Sequence, residues 1–120
     1  MTQAIRRFML FEAATFVVAA LIHFGVLAHG FEHQRAGIAE SVIAAVLLTG
    51  FIWSVASRRS SRLIGLIAQG FALLGTLVGV FTIAIGVGPR TVPDVAYHAI
   101  IVIVLLSGLV VAARPPKGVL

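Results

Sequence analysis

Four long apolar runs dominate this chain, over residues 8–28, 36–56, 63–87 and 95–113, and each is long enough to cross a lipid bilayer. A hydrocarbon core about 30 Å thick takes roughly 20 apolar residues in helical form. Lipid cannot satisfy open backbone groups, and runs of this length far exceed a barrel strand, so each is expected to be a helix. The connections between them are short and leave no room for a soluble domain. The expected fold is all-α, an integral membrane four-helix bundle forming one transmembrane domain over residues 1–120. Composition agrees: 60% of residues are hydrophobic and 11% charged, against about 45–50% and about 25% in soluble domains. An ordinary soluble enzyme is excluded.

The basic residues then give direction. Arg6 and Arg7 precede the first run, Arg58, Arg59 and Arg62 separate the second from the third, and Arg114 and Lys117 follow the fourth. If four helices alternate, all of these fall on one side, and Arg35 and Arg90 alone fall on the other. The excess of positive charge marks the cytoplasmic side, so both termini are expected there, most simply in a bacterial inner membrane. The net charge of +5 is a topology signal on this reading, and nucleic acid is not an expected partner. The lipid bilayer is, with a homo-oligomer or a larger membrane complex as further candidates. Arg6-Arg7-Phe8-Met9-Leu10 resembles a twin-arginine start, but the apolar run behind it is longer than a typical leader core and Glu12 interrupts it, so a retained span is expected.

Small residues suggest how the helices pack. Ala68, Ala72, Gly75 and Gly79 form a stripe in the third span that lets backbones approach closely, either within the bundle or between two copies. Gln69 is expected to bond across helices. Trp53 at the inner end and Tyr97 at the outer end are expected to anchor at the interfaces.

The chemically capable side chains are segregated. His23, His29, Glu32, His33, Glu40, Asp94 and His98 all fall at or near the outer ends of the spans, and Glu12 alone lies toward the cytoplasmic side. An ionisable group inside a span is costly, so each is a functional candidate. From the span boundaries, His23 lies roughly 7 Å inside, Glu40 roughly 6 Å and His98 roughly 5 Å, at helical rise. A second helix starting near Phe31 would put His33 and Glu40 on one face. His23, His33, Glu40 and His98 thus form a candidate metal set, with imidazole and carboxylate suiting zinc, copper, iron or manganese alike. A haem b held axially by His23 and His98 is the variant. Structural roles compete: Thr91-Val92-Pro93-Asp94 reads as a capping box, which gives Asp94 a complete job, and Glu40 can clasp the bundle through Arg35 or a histidine.

The leading functional expectation is a small polytopic membrane protein with a His/carboxylate site near its outer, periplasmic face that binds a transition metal or haem. An accessory subunit with a structural polar cluster is one alternative. A small proton-coupled transporter is another, since Glu12 and His23, eleven residues apart, share a face of the first helix. With no cysteine, thiolate metal sites and thiol catalysis are excluded. No nucleophile triad, phosphate loop or cofactor fingerprint is present, so no reaction is assigned.

Overall fold

The computed structural model describes residues 2–115; Lys117, counted above among the inner charges, lies outside them. Four helices run in order: α1 (Thr2–His23), α2 (Gln34–Ala56), α3 (Ser61–Ala84) and α4 (Val92–Ala113), with a single 3₁₀ turn (Arg58–Ser60) between α2 and α3. No strand occurs among the described residues. Three segments, Gln34–Ala56, Arg58–Ala84 and Val92–Ala113, are long and apolar enough to cross a membrane. α1 is as long but carries Arg6, Arg7 and Glu12. The outer surface is hydrocarbon almost throughout, with Phe11, Ile52, Leu63, Ile67, Leu74, Phe81 and Ile103 exposed. Contiguous apolar surface on that scale belongs against lipid.

One buried stripe on each helix makes the core. On α1 it is Ile5, Met9, Glu12, Phe16, Ala19 and His23, spaced three or four apart. Facing it are Glu40, Ile43, Leu47 and Ser54 of α2, Ala68, Ala72 and Thr76 of α3, and Asp94, Ile101, Leu105 and Ala112 of α4. That spacing keeps a narrow seam facing inward along the whole helix. Glu12 apart, the ionisable members of the stripes on α1, α2 and α4 (His23, Glu40 and Asp94) sit where these stripes reach the outer end. Packing of these seams brings His23, Glu40 and Asp94 together.

Both ends of the bundle are tied. At the inner end the Arg6 guanidinium donates to the Ser54 hydroxyl (3.1 Å) and carbonyl (2.6 Å), and the Ser54 and Ser61 hydroxyls are bonded at 2.6 Å. Arg62 donates to the free carbonyls of Ala112 and Ala113 at the C-terminus of α4 (3.2 and 3.1 Å). Two of the arginines that set direction therefore also cap helix ends, where a cation meets the negative pole.

The small-residue stripe of α3 is consumed inside the bundle. Ala68 and Ala72 are buried, a Cβ on Gly75 would stand 2.9 Å from Ile43, and one on Gly79 would stand 3.1 Å from the His98 ring. Gln69 differs from expectation. Its amide donates to Gly65 of its own helix (3.1 Å), while its buried carbonyl has no partner and lies against Gly108. Tyr97 differs as well. Its hydroxyl turns inward and donates to Thr15 of α1 (3.1 Å), so it braces α4 against α1 instead of anchoring at the interface. Trp53 is exposed.

Candidate functional site: a histidine between two carboxylates

α1 ends earlier than its apolar run. Gly25 adopts φ +77°, a conformation that L side chains rarely take, and the chain turns out of the helix directly after His23. The loop then folds back, and the His33 amide donates to the His23 carbonyl (2.9 Å). His23 thus occupies the last turn of α1, where a cationic side chain is favoured by the helix dipole. Its ring is 4% exposed.

Both ring nitrogens meet acids from other helices. Nδ1 lies 2.5 Å from Glu40 Oε1 of α2, and Nε2 lies 2.8 Å from Asp94 Oδ1 of α4. Glu40 and Asp94 are 6% and 7% exposed. An imidazole that donates from both nitrogens is an imidazolium, so the bridge either carries a proton on His23 or keeps one on a carboxyl. With His23 protonated and both acids ionised, it holds one excess negative charge; one further proton neutralises it. Buried charges are tolerated when paired in this way.

Asp94 is held from its other side. The capping box read from the sequence is present: Thr91 accepts from the Asp94 amide (3.3 Å), and Asp94 Oδ2 accepts from the Thr91 amide and hydroxyl (3.2 and 2.5 Å). Capping uses Oδ2 and leaves Oδ1 for His23. Asp94 is the member of the bridge that sequence reasoning assigns wholly to the cap, although a carboxylate has two oxygens and the cap engages one of them.

The four candidate metal ligands are not gathered together. His23 and Glu40 meet, but both nitrogens of His23 already face acids. α2 starts at Gln34, later than Phe31, and His33 is its N-cap: Nδ1 accepts from the Ala36 amide (3.2 Å) and Nε2 donates to the Val87 carbonyl (3.2 Å). His33 therefore shares no helical face with Glu40; it staples the outer loops and meets His23 only edge-on, with ring centroids 6.4 Å apart. His98 donates from Nδ1 to the Asp94 carbonyl one turn back (2.7 Å), and its Nε2 edge faces Gly79 of α3. Among the described residues no three His, Asp or Glu side chains form a group that could hold a metal ion. His23 and His98 turn their ring nitrogens to different partners. His29 is solvated, 3.8 Å from Glu32.

Two cavities flank the bridge. A groove of about 490 Å³ between α1 and α4 is walled by Phe11, Val18, Ile22 and Phe31 and headed by His23 and Asp94. Its walls include exposed Phe11 and Val18, so it opens sideways onto the lipid-facing surface. A second cavity of about 240 Å³ lies between α2, α3 and α4, lined by Glu40, His33, Arg35 and His98. Tyr97 borders both, and the Glu40–His23 contact lies in the wall between them. Comparison with protein-family models, curated proteins and solved structures returned no match.

Glu12 stands apart. It is fully buried on the same stripe as His23, and neither carboxyl oxygen has a hydrogen-bond partner. A buried polar group without partners is expensive and rare. Thr15 donates to the Glu12 backbone carbonyl (2.8 Å), not to its side chain.

Proposed function

We propose that this chain is a small polytopic protein of a bacterial inner membrane whose periplasmic end binds and exchanges a proton at the Glu40–His23–Asp94 bridge. The observation that carries the reading is the His23 ring held at both nitrogens by acids from two other helices. Such a ring passes a proton from one side to the other by changing which nitrogen is protonated, without leaving its place. Glu40 opens to the cavity that holds His33, Arg35 and His98, and Asp94 opens to the groove on the lipid side. The bridge therefore links a polar compartment to an apolar one. The arginine distribution supports the periplasmic placement of this end. Metal or haem ligation would need a free ring nitrogen on His23, and both are engaged, which favours proton handling over the metal reading.

The test is proton uptake after a pH jump, followed with a soluble indicator on protein in lipid nanodiscs. Wild type is expected to take up one proton that His23→Gln lacks. Equal uptake by the two proteins, each shown to be folded, contradicts the proposal.

A further inference from the structure

The groove between α1 and α4 has a polar end whose side chains can take a hydrogen bond but have none to give. Both His23 nitrogens point at carboxylates, Tyr97 donates its only hydroxyl proton to Thr15, and Thr15 donates its own to the Glu12 carbonyl. The side-chain donors at the groove are thus all committed. What stays open is acceptor capacity: a second lone pair on Asp94 Oδ1, and the Tyr97 oxygen, which here only donates. A ligand that fits must bring a donor. Its body must be apolar, because the walls are, and a planar ring suits walls that include Phe11, Phe31 and Tyr97. The volume is within the usual range for small-molecule sites.

A neutral donor fits better than a charged one. With His23 protonated, Asp94 and Glu40 leave one excess negative charge on the bridge, and on the proton-exchange reading a proton takes it up. An ammonium placed beside it would have to be desolvated in an apolar groove, whereas a hydroxyl group would not carry that cost. Resting on the proton-exchange reading, we infer that the groove binds a lipid-dissolved phenol or hydroquinone, its hydroxyl on Asp94 and its ring and tail along α1 and α4. The hydroxyl sits against the one place in the bundle where a proton is traded, so occupancy and the protonation of the bridge are linked. The groups that set this linkage are His23, Glu40 and Asp94 themselves, His33 edge-on to His23, Tyr97 at the groove wall, and His98 bonded to the Asp94 carbonyl.

The probes are 4-heptylphenol, its methyl ether 4-heptylanisole, and 4-heptylbenzylamine, measured by calorimetric titration into nanodiscs and corrected with protein-free discs. The phenol is expected to bind saturably at one per chain, with the ether about tenfold weaker for the loss of one hydrogen bond. Ala14→Trp, which fills the groove beside Thr15 without touching the bridge, is expected to abolish phenol binding and leave His23-dependent proton uptake intact. Equal binding of phenol and ether, preference for the amine, or phenol binding that survives Ala14→Trp each overturns the assignment. Normal proton uptake without saturable phenol binding sinks the ligand alone. Phenol binding with no His23-dependent uptake sinks the proton-exchange reading alone.

Discussion

Replacing His23 with alanine removes the positive member of a buried three-member bridge and leaves two acids facing one gap. Breaking a buried pair by deleting one partner costs about 3–5 kcal/mol, because the remaining charge is left uncompensated. Asp94 keeps two hydrogen bonds from Thr91, so its residual cost is smaller, and Glu40 carries most of the loss. We therefore expect about 3 kcal/mol from His23→Ala, toward the lower end of that range. The second substitution decides the cause. Replacing Glu40 with Met in the His23→Ala background removes the stranded carboxylate and should recover about 2 kcal/mol as an interaction energy between the two positions. The assay is reversible unfolding in mixed micelles by added denaturing detergent, followed by fluorescence. Trp53 is the single tryptophan and lies at the far end of the bundle, so it reports global unfolding and not local loosening at the site. A cost below about 1 kcal/mol, the value of an exposed ion pair, or no recovery in the double variant, would refute the buried-bridge reasoning.

Three further expectations follow from the core and the topology. Glu12→Leu should stabilise the bundle by about 1–3 kcal/mol in the same unfolding assay, because it removes a buried acid whose oxygens are both unpaired; destabilisation would mean that Glu12 has a partner. Gly108→Ala should destabilise by about 1–3 kcal/mol, since the new Cβ meets the Gln69 carbonyl oxygen, and Gln69→Ala in the same chain should restore most of the loss. The chain has no cysteine, so single cysteines can be read cleanly: His29→Cys should react with a membrane-impermeant thiol reagent in intact cells, and Arg59→Cys only after permeabilisation, with the reverse pattern inverting the topology.

The spans were legible because lipid imposes a length and a composition that no other architecture shares. Their ends were less so. Apolarity continues through 24–28 and 85–87, yet Gly25 and Gly86 take positive φ and the helices stop before them. Hydropathy reports what a residue dissolves in; the backbone turn is set by glycine geometry. The outer polar cluster was visible as a segregation of residue types, and His23 and Glu40 do meet. A helix starting at Phe31 would put His33 on a face with Glu40; with α2 starting at Gln34, His33 is the N-cap, and its ring caps the Ala36 amide and reaches Val87. Asp94 was hidden by a correct local reading, since the capping box accounts for one oxygen and says nothing about the other. Tyr97 and Gln69 each followed a general membrane tendency that specific neighbours override: Thr15 draws the phenol inward, and Gly65 takes the amide within its own helix.

On the proposed function, His23 exchanges a proton with the acids on either side of it. Nitrogen-15 resonance of imidazole-labelled protein in lipid reads the protonation of each ring nitrogen directly. A His23 ring protonated at both nitrogens at low pH is expected to release one proton on titration, with Glu40→Gln and Asp94→Asn each moving the transition. A His23 ring fixed in one neutral tautomer at every pH, and indifferent to both substitutions, would contradict it.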